Sequence, residues 1–396
     1  MSHMINHLNI GLKDYQILQV QSKPNLVIHV KLKSSKRPQA CPHCEAQKLY
    51  SKGLYQRKVK HLECFEQACT LIIHTHRWLC CQCNRSFIPT LPGITKGRHS
   101  SEPLRNSIYL LHHQGICAKT LAASKSIGQA TVSRIYSQFT HRKVKERESL
   151  QCPRVLGIDE HTLHKGQKFC TTLCDLKNHR VFDIRPGRSN KDLASYFASL
   201  KGRDKVAVVC IDLSSPYRKL IQNYFPNARI VADRFHVVRI IYYYFMQLAR
   251  AVAPDIKSHR GSLAAMRKRP ENLTEKQRIR LKELFAEHPA LEKVYQQMHE
   301  LRELMNQKEK TKKQCKQLAK LFATKIHELK YSDIKPMQTL AKTLQQWMEP
   351  IACMWRFRKN NGITEGFHRK MKLIQRRAYG FRNFQNYRLR VIAQCG

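Results

Sequence analysis

Apolar and polar positions change rhythm several times along this chain. Between Leu54 and Trp78 they alternate, as in Thr70-Leu71-Ile72-Ile73-His74-Thr75-His76, which predicts strands. From Ser101 to Phe139 the spacing becomes helical. Ser101 is placed to cap a helix carrying Leu104, Ile108, Leu110 and Leu111. Two more helical stretches, 118–124 and 126–136, follow around Gly128. From Arg154 onward short apolar runs predict strands over 154–158, 168–174, 179–184, 206–211 and 228–232. Helices are predicted over 190–200, where Leu193, Tyr196, Phe197 and Leu200 share a face, and over 214–225, entered through Pro216. Three strands, a helix, a strand, a helix and a strand make a mixed α/β sheet, and the continuous run 206–211 predicts a strand buried on both faces. After His236 the spacing is helical again as far as residue 358. Leu281, Leu284, Phe285, Leu291, Val294, Met298, Leu301 and Met305 keep it, with Pro254, Pro270, Pro289, Pro336 and Pro350 as punctuation. The heptads are too short-lived for a coiled coil.

Composition narrows the partner. The chain has 396 residues, 72 Lys+Arg against 28 Asp+Glu and a formal charge of +44. Two to four domains with real cores are expected from this length and from the 42% hydrophobic content. Positive charge spread along the whole length fits a nucleic acid better than a basic tail would. A protein that merely coats phosphate would not need the organised motifs below. No stretch approaches the roughly 20 apolar residues of a membrane span, and the N-terminus lacks a signal-peptide core. Met1-Ser2-His3-Met4 carries no weight. The 15 cysteines are irregularly spaced and odd in number, which suits a reducing cytosol with some thiols on metal.

Cys41-Pro42-His43-Cys44 and Cys80-Cys81-Gln82-Cys83 form two C-x-x-C knuckles. Cys41, Cys44, Cys80 and Cys83 can complete a tetrahedral Zn²⁺ shell, and two knuckles joined by a small sheet describe a zinc ribbon. Cys81 is an alternative to Cys80, and Cys64 and Cys69 are left over. His43, His74 and His76 read as surface or phosphate-facing groups. The helices around Gly128 have the helix-turn-helix arrangement. Gln129, Thr131, Ser133 and Arg134 on the second helix are of types that contact base edges or phosphates, the alternative being a small helical linker.

Three acidic residues stand out in this cationic background. Asp159 ends the run Arg154–Ile158, Asp212 ends Val206–Ile211, and Glu365 lies in Gly362-Ile363-Thr364-Glu365-Gly366-Phe367-His368, just before a strongly cationic helix. Carboxylates at strand ends in such a chain suit divalent metal beside a polyanion. Together with Ser215-Pro216-Tyr217, Phe225-Pro226-Asn227-Ala228, Asp233-Arg234-Phe235-His236 and the elements before them, these motifs resemble the DDE-type bacterial insertion-sequence transposases of the ISL-three (ISL3) group. The likeness spans nearly the whole chain. One departure is His368, where an Asn-type polar residue is more usual.

The resemblance implies a multi-domain α/β + α protein: a ribonuclease-H-like mixed sheet core with a helical insertion, preceded by a zinc ribbon and a helix-turn-helix. The expected domains are a zinc ribbon at 1–98, a helix-turn-helix at 99–150, a catalytic domain in two parts at 151–238 and 359–396, and the insertion at 239–358. Asp159 and Glu365 match the first and last members of a DDE triad. The second is Asp212 or Asp233. In the implied fold the first strand lies beside the fourth and the fifth lies outside it, so Asp212 would be about 5 Å from Asp159 and Asp233 about 10 Å. The nearer pair can share ions about 4 Å apart, which favours Asp212 and leaves Asp233 and His236 as accessory groups.

Hard carboxylate oxygens suit Mg²⁺ or Mn²⁺. Tyr217 and Tyr242–Tyr244 could suggest a tyrosine nucleophile, but no matching set of catalytic Arg and His residues can be placed. Beyond Glu365, Arg369, Lys370, Lys372, Arg376, Arg377, Arg382, Arg388 and Arg390 interleave with Phe367, Tyr379, Phe381, Phe384 and Tyr387, an arrangement for clamping phosphates or for a helix with core and solvent faces. Residues 308–313 read as a solvated face or a DNA or protomer contact. The expectation is a metal-dependent enzyme that binds terminal inverted repeats, cleaves DNA and transfers strands. It would act on transposon ends and target duplex as a homodimer or higher oligomer, in the bacterial cytoplasm at the nucleoid. The alternatives are a DNA-binding regulator without catalysis and a nuclease of the same fold.

Overall fold

A computed structural model describes residues 10–22, 25–34, 37–64, 66–147, 150–164, 168–308, 310–357 and 361–396. Of the positions named above, Met1–Met4, Glu309 and residues 358 and 359 lie outside these. The chain forms two compact units, Met1–Lys143 and Val144–Gly396.

In the first unit, strands β1 (Tyr15–Gln21), β2 (Leu26–Leu32), β3 (Leu49–Cys64), β4 (Gln67–Cys80) and β5 (Ser86–Phe87) build one sheet. Its order is β1-β2-β4-β3, with β5 also on β4. The expected strands between Leu54 and Trp78 are the long antiparallel hairpin β3–β4. Ile28, Val30, Val59, Leu71 and Ile73 are buried on one face of the sheet. Three helices follow: α1 (Glu102–Gln114), α2 (Ala118–Ser124) and α3 (Gln129–Lys145). Ser101 caps α1 as expected, its hydroxyl accepting from the Leu104 N–H. The hydroxyl also lies 2.7 Å from Nδ1 of buried His61 in β3, which ties the helices to the hairpin. Leu104, Ile108, Leu121, Val132 and Ile135 form the helical core.

The two cysteine knuckles stand on this hairpin, one before β3 and one at the end of β4. Backbone pairing of Leu49 with Cys80 brings them together. Sγ of Cys41 is 3.7 Å from that of Cys83, and Sγ of Cys44 is 3.5 Å from that of Cys80. All four sulfurs lie within 4.8 Å of one another. A tetrahedron with Zn–S bonds of about 2.3 Å has edges of about 3.8 Å, so the cluster has the size zinc requires. N–H groups of Cys83 and Gln82 aim at the Cys80 sulfur, and with the neighbouring thiols they draw its pKa down to about 6. Cys80 is buried and in the cluster. Cys81 is exposed and outside it, which decides between the two.

The second unit carries the mixed sheet. Strands β6 (Val155–His164), β7 (Lys168–Asp175), β8 (Arg180–Pro186), β9 (Val208–Ile211) and β10 (Arg229–Ala232) lie in the order β10-β9-β6-β7-β8. The first three pair antiparallel, and β9 and β10 run parallel to β6. Helices α4 (Asn190–Ser199) and α5 (Ser215–Tyr224) connect the later strands. Every residue of β9 is buried, as its unbroken apolar run requires. One expectation changes. β6 does not stop before Asp159 but continues to His164, because β7 pairs with it well beyond the last contact with β9 at Gly157. Asp159 is therefore a mid-strand residue on one side and a strand-end residue on the other.

The interval after His236 is helical throughout its regular elements: α6 (Arg234–Val252), α7 (Arg260–Met266), α8 (Glu275–Glu287), α9 (Pro289–Asn306), α10 (Lys312–Lys330), α11 (Lys335–Gln346) and α12 (Met348–Arg356), with short 3₁₀ turns among them. Thr311 caps α10 in a capping box with Gln314, so part of the basic run 308–313 is a helix start. Helices α13 (Gly362–Arg377) and α14 (Phe384–Cys395) return to the sheet. The purified chain is expected to carry about one zinc. Replacing Cys44 by Ser should release it and loosen the first unit, measured by metal content and by proteolysis. A Cys44→Ser chain that keeps its zinc contradicts the four-thiolate site.

Candidate functional site

Strand register sets the site. Gly157 lies opposite Cys210, and Ile211 opposite Ala232. Two residues beyond Gly157 is Asp159, two beyond Cys210 is Asp212, and one beyond Ala232 is Asp233. The three carboxylates thus stand level at the ends of neighbouring strands, which are about 4.8 Å apart. Nδ1 of His236, in the first turn of α6, lies 2.9 Å from Oδ1 of Asp212 and 2.8 Å from Oδ2 of Asp233. Asp212, Asp233 and His236 offer ligand atoms within 4.8 Å of one another. The structure therefore joins both contenders for the second acidic position through one imidazole, a grouping that spacing alone does not reveal.

One N–H cannot satisfy two carboxylates. The His236 N–H points to Asp233, and buried Asp212 Oδ1, 2.9 Å from the same nitrogen, has at most a share of it. A buried acceptor of this kind is costly unless a cation reaches it. Burial alone would lower the His236 pKa, but Asp212 and Asp233 outweigh it and raise it to about 10. Burial, and then the charge of Asp212, push the Asp159 carboxyl up to about 7. Hard oxygen donors with one imidazole fit a divalent ion such as Mg²⁺ or Mn²⁺ better than a soft one.

Helix α13 closes the site from the other side. Asn361, at its start, donates from Nδ2 to the Ile158 carbonyl at 3.1 Å and from its backbone N–H to Asp233 Oδ1 at 3.3 Å. Gly157 makes this approach possible, since a Cβ there would stand 2.8 Å from Asn361 Oδ1. Asn361, Thr364 and His368 are buried and fall on one side of the helix. His368 Nδ1 lies 3.6 Å from Asp159 Oδ2. Glu365 stands at the margin of this face, one residue after Thr364. Its side chain is 55% exposed and turns to Arg369 at 3.7 Å. The structure brings Asp212, Asp233 and His236 together and sets Asp159 beside them, while the Glu365 carboxylate points outward. Asn361 had no role assigned from sequence, and its backbone and side-chain bonds are visible only in three dimensions.

The remaining residues sort by face. On α3, Gln129, Ser133 and Arg134 are exposed and Thr131 is half-buried. Beside them runs a groove of about 650 Å³ lined by Lys58, Lys60, Arg98, Arg105 and Arg134, of which the sequence pointed only to Arg134. On α13, Arg369, Lys370, Lys372, Arg376 and Arg377 are exposed, while Met371 and Ile374 face the core. Arg388 is different: it binds Asp183 with two bonds of 2.6 and 3.0 Å and braces α14 on β8. Tyr387 is buried and Tyr379 is 94% exposed, so the aromatic residues divide between core and solvent. Tyr217 is buried, with its hydroxyl 2.8 Å from Thr171 Oγ1, as a packing residue.

The raised Asp159 pKa has a consequence for stability. A carboxyl whose folded pKa (about 7) exceeds its unfolded value (near 4) contributes most below pH 4 and loses that contribution as pH rises through 7. Asp159→Asn does not titrate. In the absence of divalent metal it should gain stability relative to the parent between pH 4 and 7, by on the order of 2–4 kcal/mol at the plateau. Urea unfolding across this range reads the difference. A pH-independent difference would contradict the burial and Asp212 repulsion assigned to this carboxyl.

Comparison with known proteins places the chain in a family. A family model described as transposase, of the DDE ISL3 type, matches residues 156–391, and a second, described as zinc-finger of transposase IS204/IS1001/IS1096/IS1165, matches residues 37–83. The transposase for insertion sequence element IS1001 of Bordetella parapertussis is 27% identical over 399 aligned positions, covering 97% of this chain and 96% of its own. The transposase for insertion sequence element IS1557 of Mycobacterium tuberculosis is 24% identical over 301 positions, covering 68% and 65%. The first match takes in the mixed sheet, the helical interval and most of α14, and the second takes in both cysteine knuckles. The chain belongs to the ISL3 family of transposases.

Proposed function

We propose that this transposase binds the terminal inverted repeats of an insertion sequence and catalyses DNA cleavage and strand transfer with Asp159, Asp212 and Glu365 as metal-holding residues. The observation that carries the proposal is the level alignment of Asp159, Asp212 and Asp233, with a buried oxygen of Asp212 that must share the one His236 Nδ1 with Asp233. The chemistry that two bound Mg²⁺ or Mn²⁺ ions supply is activation of a water or 3′-hydroxyl and stabilisation of the leaving oxygen in an in-line displacement. In this reading the order β10-β9-β6-β7-β8 is that of a ribonuclease-H-like core, and α6–α12 are its helical insertion. Asp159 and Asp212 hold ligand oxygens at the strand ends. Glu365 completes the set by turning inward from the first turn of α13. Asp233 and His236 fix the orientation of Asp212 and of the start of α6.

The same reading gives the basic surfaces a substrate. Helices α2 and α3 act as a helix-turn-helix, with Gln129, Thr131, Ser133 and Arg134 in a major groove. The cationic groove beside them receives backbone phosphate. Arg369, Lys370, Lys372, Arg376 and Arg377 line the exposed side of α13, where they grip the phosphates flanking the scissile bond. An insertion sequence has two ends, which suits two or more copies of the chain acting together. Among the described residues no helix is long and apolar enough to cross a membrane.

The test uses a duplex carrying the ends of the element that encodes the chain. Asp159→Ala and Asp212→Ala should each lower cleavage in Mn²⁺ by at least about 100-fold while leaving duplex affinity within a few-fold, since neither carboxylate attracts phosphate. Alanine at both Gln129 and Arg134 should do the reverse and weaken affinity by on the order of 10–100-fold. Cleavage at the parent rate by Asp159→Ala would sink the assignment of the acids. Cleavage without joined products would favour a nuclease.

A further inference from the structure

A line of buried polar side chains runs from the site to the last helix. His161 lies on the same face of β6 as Asp159, two residues on, and Thr172 lies opposite Asp159 on β7. Thr172 Oγ1 is 3.0 Å from His368 Nε2 and 2.9 Å from His161 Nδ1. His161 Nε2 is 3.0 Å from the hydroxyl of Tyr387 on α14. His368 Nδ1 faces Asp159 Oδ2. The four side chains that lead to Asp159 come from β6, β7, α13 and α14, and each is at least nine-tenths buried.

The direction of this chain follows from counting hydrogens. The Thr172 hydroxyl has one proton, so it donates to one ring and accepts from the other. Each neutral ring has one N–H. At the Asp159 end, once that acid is ionised as metal binding requires, stands a carboxylate, which accepts and does not donate. A donor must therefore face it, so His368 carries its proton on Nδ1 and its Nε2 accepts from Thr172. Thr172 then accepts from His161 Nδ1–H, and His161 Nε2 accepts from the Tyr387 hydroxyl. Every proton has an acceptor in this arrangement. In the opposite one, two lone pairs confront each other at Asp159.

We propose that His368 is a positioning residue for Asp159, locked in its Nδ1–H tautomer by the Thr172–His161–Tyr387 chain. This rests on the reading of Asp159 as a metal-holding residue. The 3.6 Å separation is longer than a hydrogen bond, so the contact is one that the proposal requires to shorten when the metal-bound state forms. Contacts of this kind tighten when the bound state forms. The other oxygen of Asp159 already accepts from the Glu160 N–H at 2.7 Å. A donor on each oxygen would fix the carboxylate plane and leave its remaining lone pairs directed toward Asp212. The chain also makes the seating of α14, through Tyr387, a condition for that orientation.

Three measurements test this. In ¹⁵N-histidine-labelled protein without metal, at a pH well above 7 so that Asp159 is ionised, His368 and His161 should both appear as Nδ1–H tautomers. An Nε2–H tautomer at His368 overturns the proposal. Mn²⁺ binding, read from the loss of the free-ion electron paramagnetic resonance signal, should weaken by on the order of 10–100-fold in His368→Ala and less in Thr172→Val. His368→Asn, whose amide N–H can occupy the place of Nδ1, should recover most of the affinity. Because each of these variants alters a buried contact, each is compared at matched helical content by circular dichroism. Cleavage of the end-bearing duplex should follow the same ranking. If Asp159→Ala loses Mn²⁺ binding and cleavage while His368→Ala keeps both at parental values, the positioning role is wrong and the acid assignment stands. If Asp159→Ala itself keeps both, the acid assignment is what fails. Recovery by His368→Asn no better than by His368→Ala would make His368 a packing residue only.

Discussion

The site depends on one constraint, the parallel register that sets Asp159, Asp212 and Asp233 level at the ends of adjacent strands. Strands about 4.8 Å apart impose a repulsion that no folded protein would choose for stability alone. The chain accommodates it in three ways. Asp159 has its pKa raised, by burial first and by Asp212 second. Asp233 is bound by the Asn361 N–H and by His236. Asp212 shares the same imidazole through its buried Oδ1. A register shift of one residue would turn the carboxylates to the opposite face and dissolve the arrangement.

This explains why α13 begins where it does. A helix closing over β6 must meet a strand with little side chain, and Gly157 supplies that gap. Asn361 then bonds both to β6 and to Asp233, so the same residue anchors the helix and steadies an acid. With Asn361, Thr364 and His368 turned inward, geometry fixes the other side of the helix. Glu365 falls at the margin, and the cations from Arg369 to Arg377 face out. A single helix thus supports a core contact, the last proposed acid and a basic surface, each at its own angle around the axis.

Much of this was legible in the sequence because apolar runs carry it. The strands of the mixed sheet, the two connecting helices and the Ser101 cap follow from patterning, and the cysteine spacing announces the zinc ribbon that the family comparison also finds. Other features were not legible, for identifiable reasons. Strands β1 and β2 interleave Gln, Lys and His with their apolar residues, so their signal is weak. The extension of β6 past Asp159 depends on pairing with β7, a tertiary fact. The joining of Asp212 to Asp233 through His236 needs the register of two strands and the first turn of a helix. Spacing could suggest the accessory residues but not that they meet. The outward rotamer of Glu365 depends on the local balance between Arg369 and the site, which no pattern encodes.

The electrostatics of the two ends of the site point in opposite directions, and the difference is informative. Around Asp212 and Asp233, carboxylates outweigh burial and raise the His236 pKa to about 10, so a positive charge is already favoured there. Around Thr172, no carboxylate competes on equal terms. Burial brings His161 down to about 3 and His368 to about 4, with neighbouring positive groups adding to it. The same residue type is thus held as a cation on one flank of Asp159–Asp212 and as a neutral ring on the other. A protonated ring between two carboxylates occupies the position where a divalent ion would find its ligands, so the ion and that proton compete, and metal entry would release the proton. A neutral ring beside Asp159 adds a dipole without adding charge and leaves the carboxylate able to bind a cation. Stability in the free protein and readiness for metal are therefore served by different histidines, and the level carboxylates between them link the two.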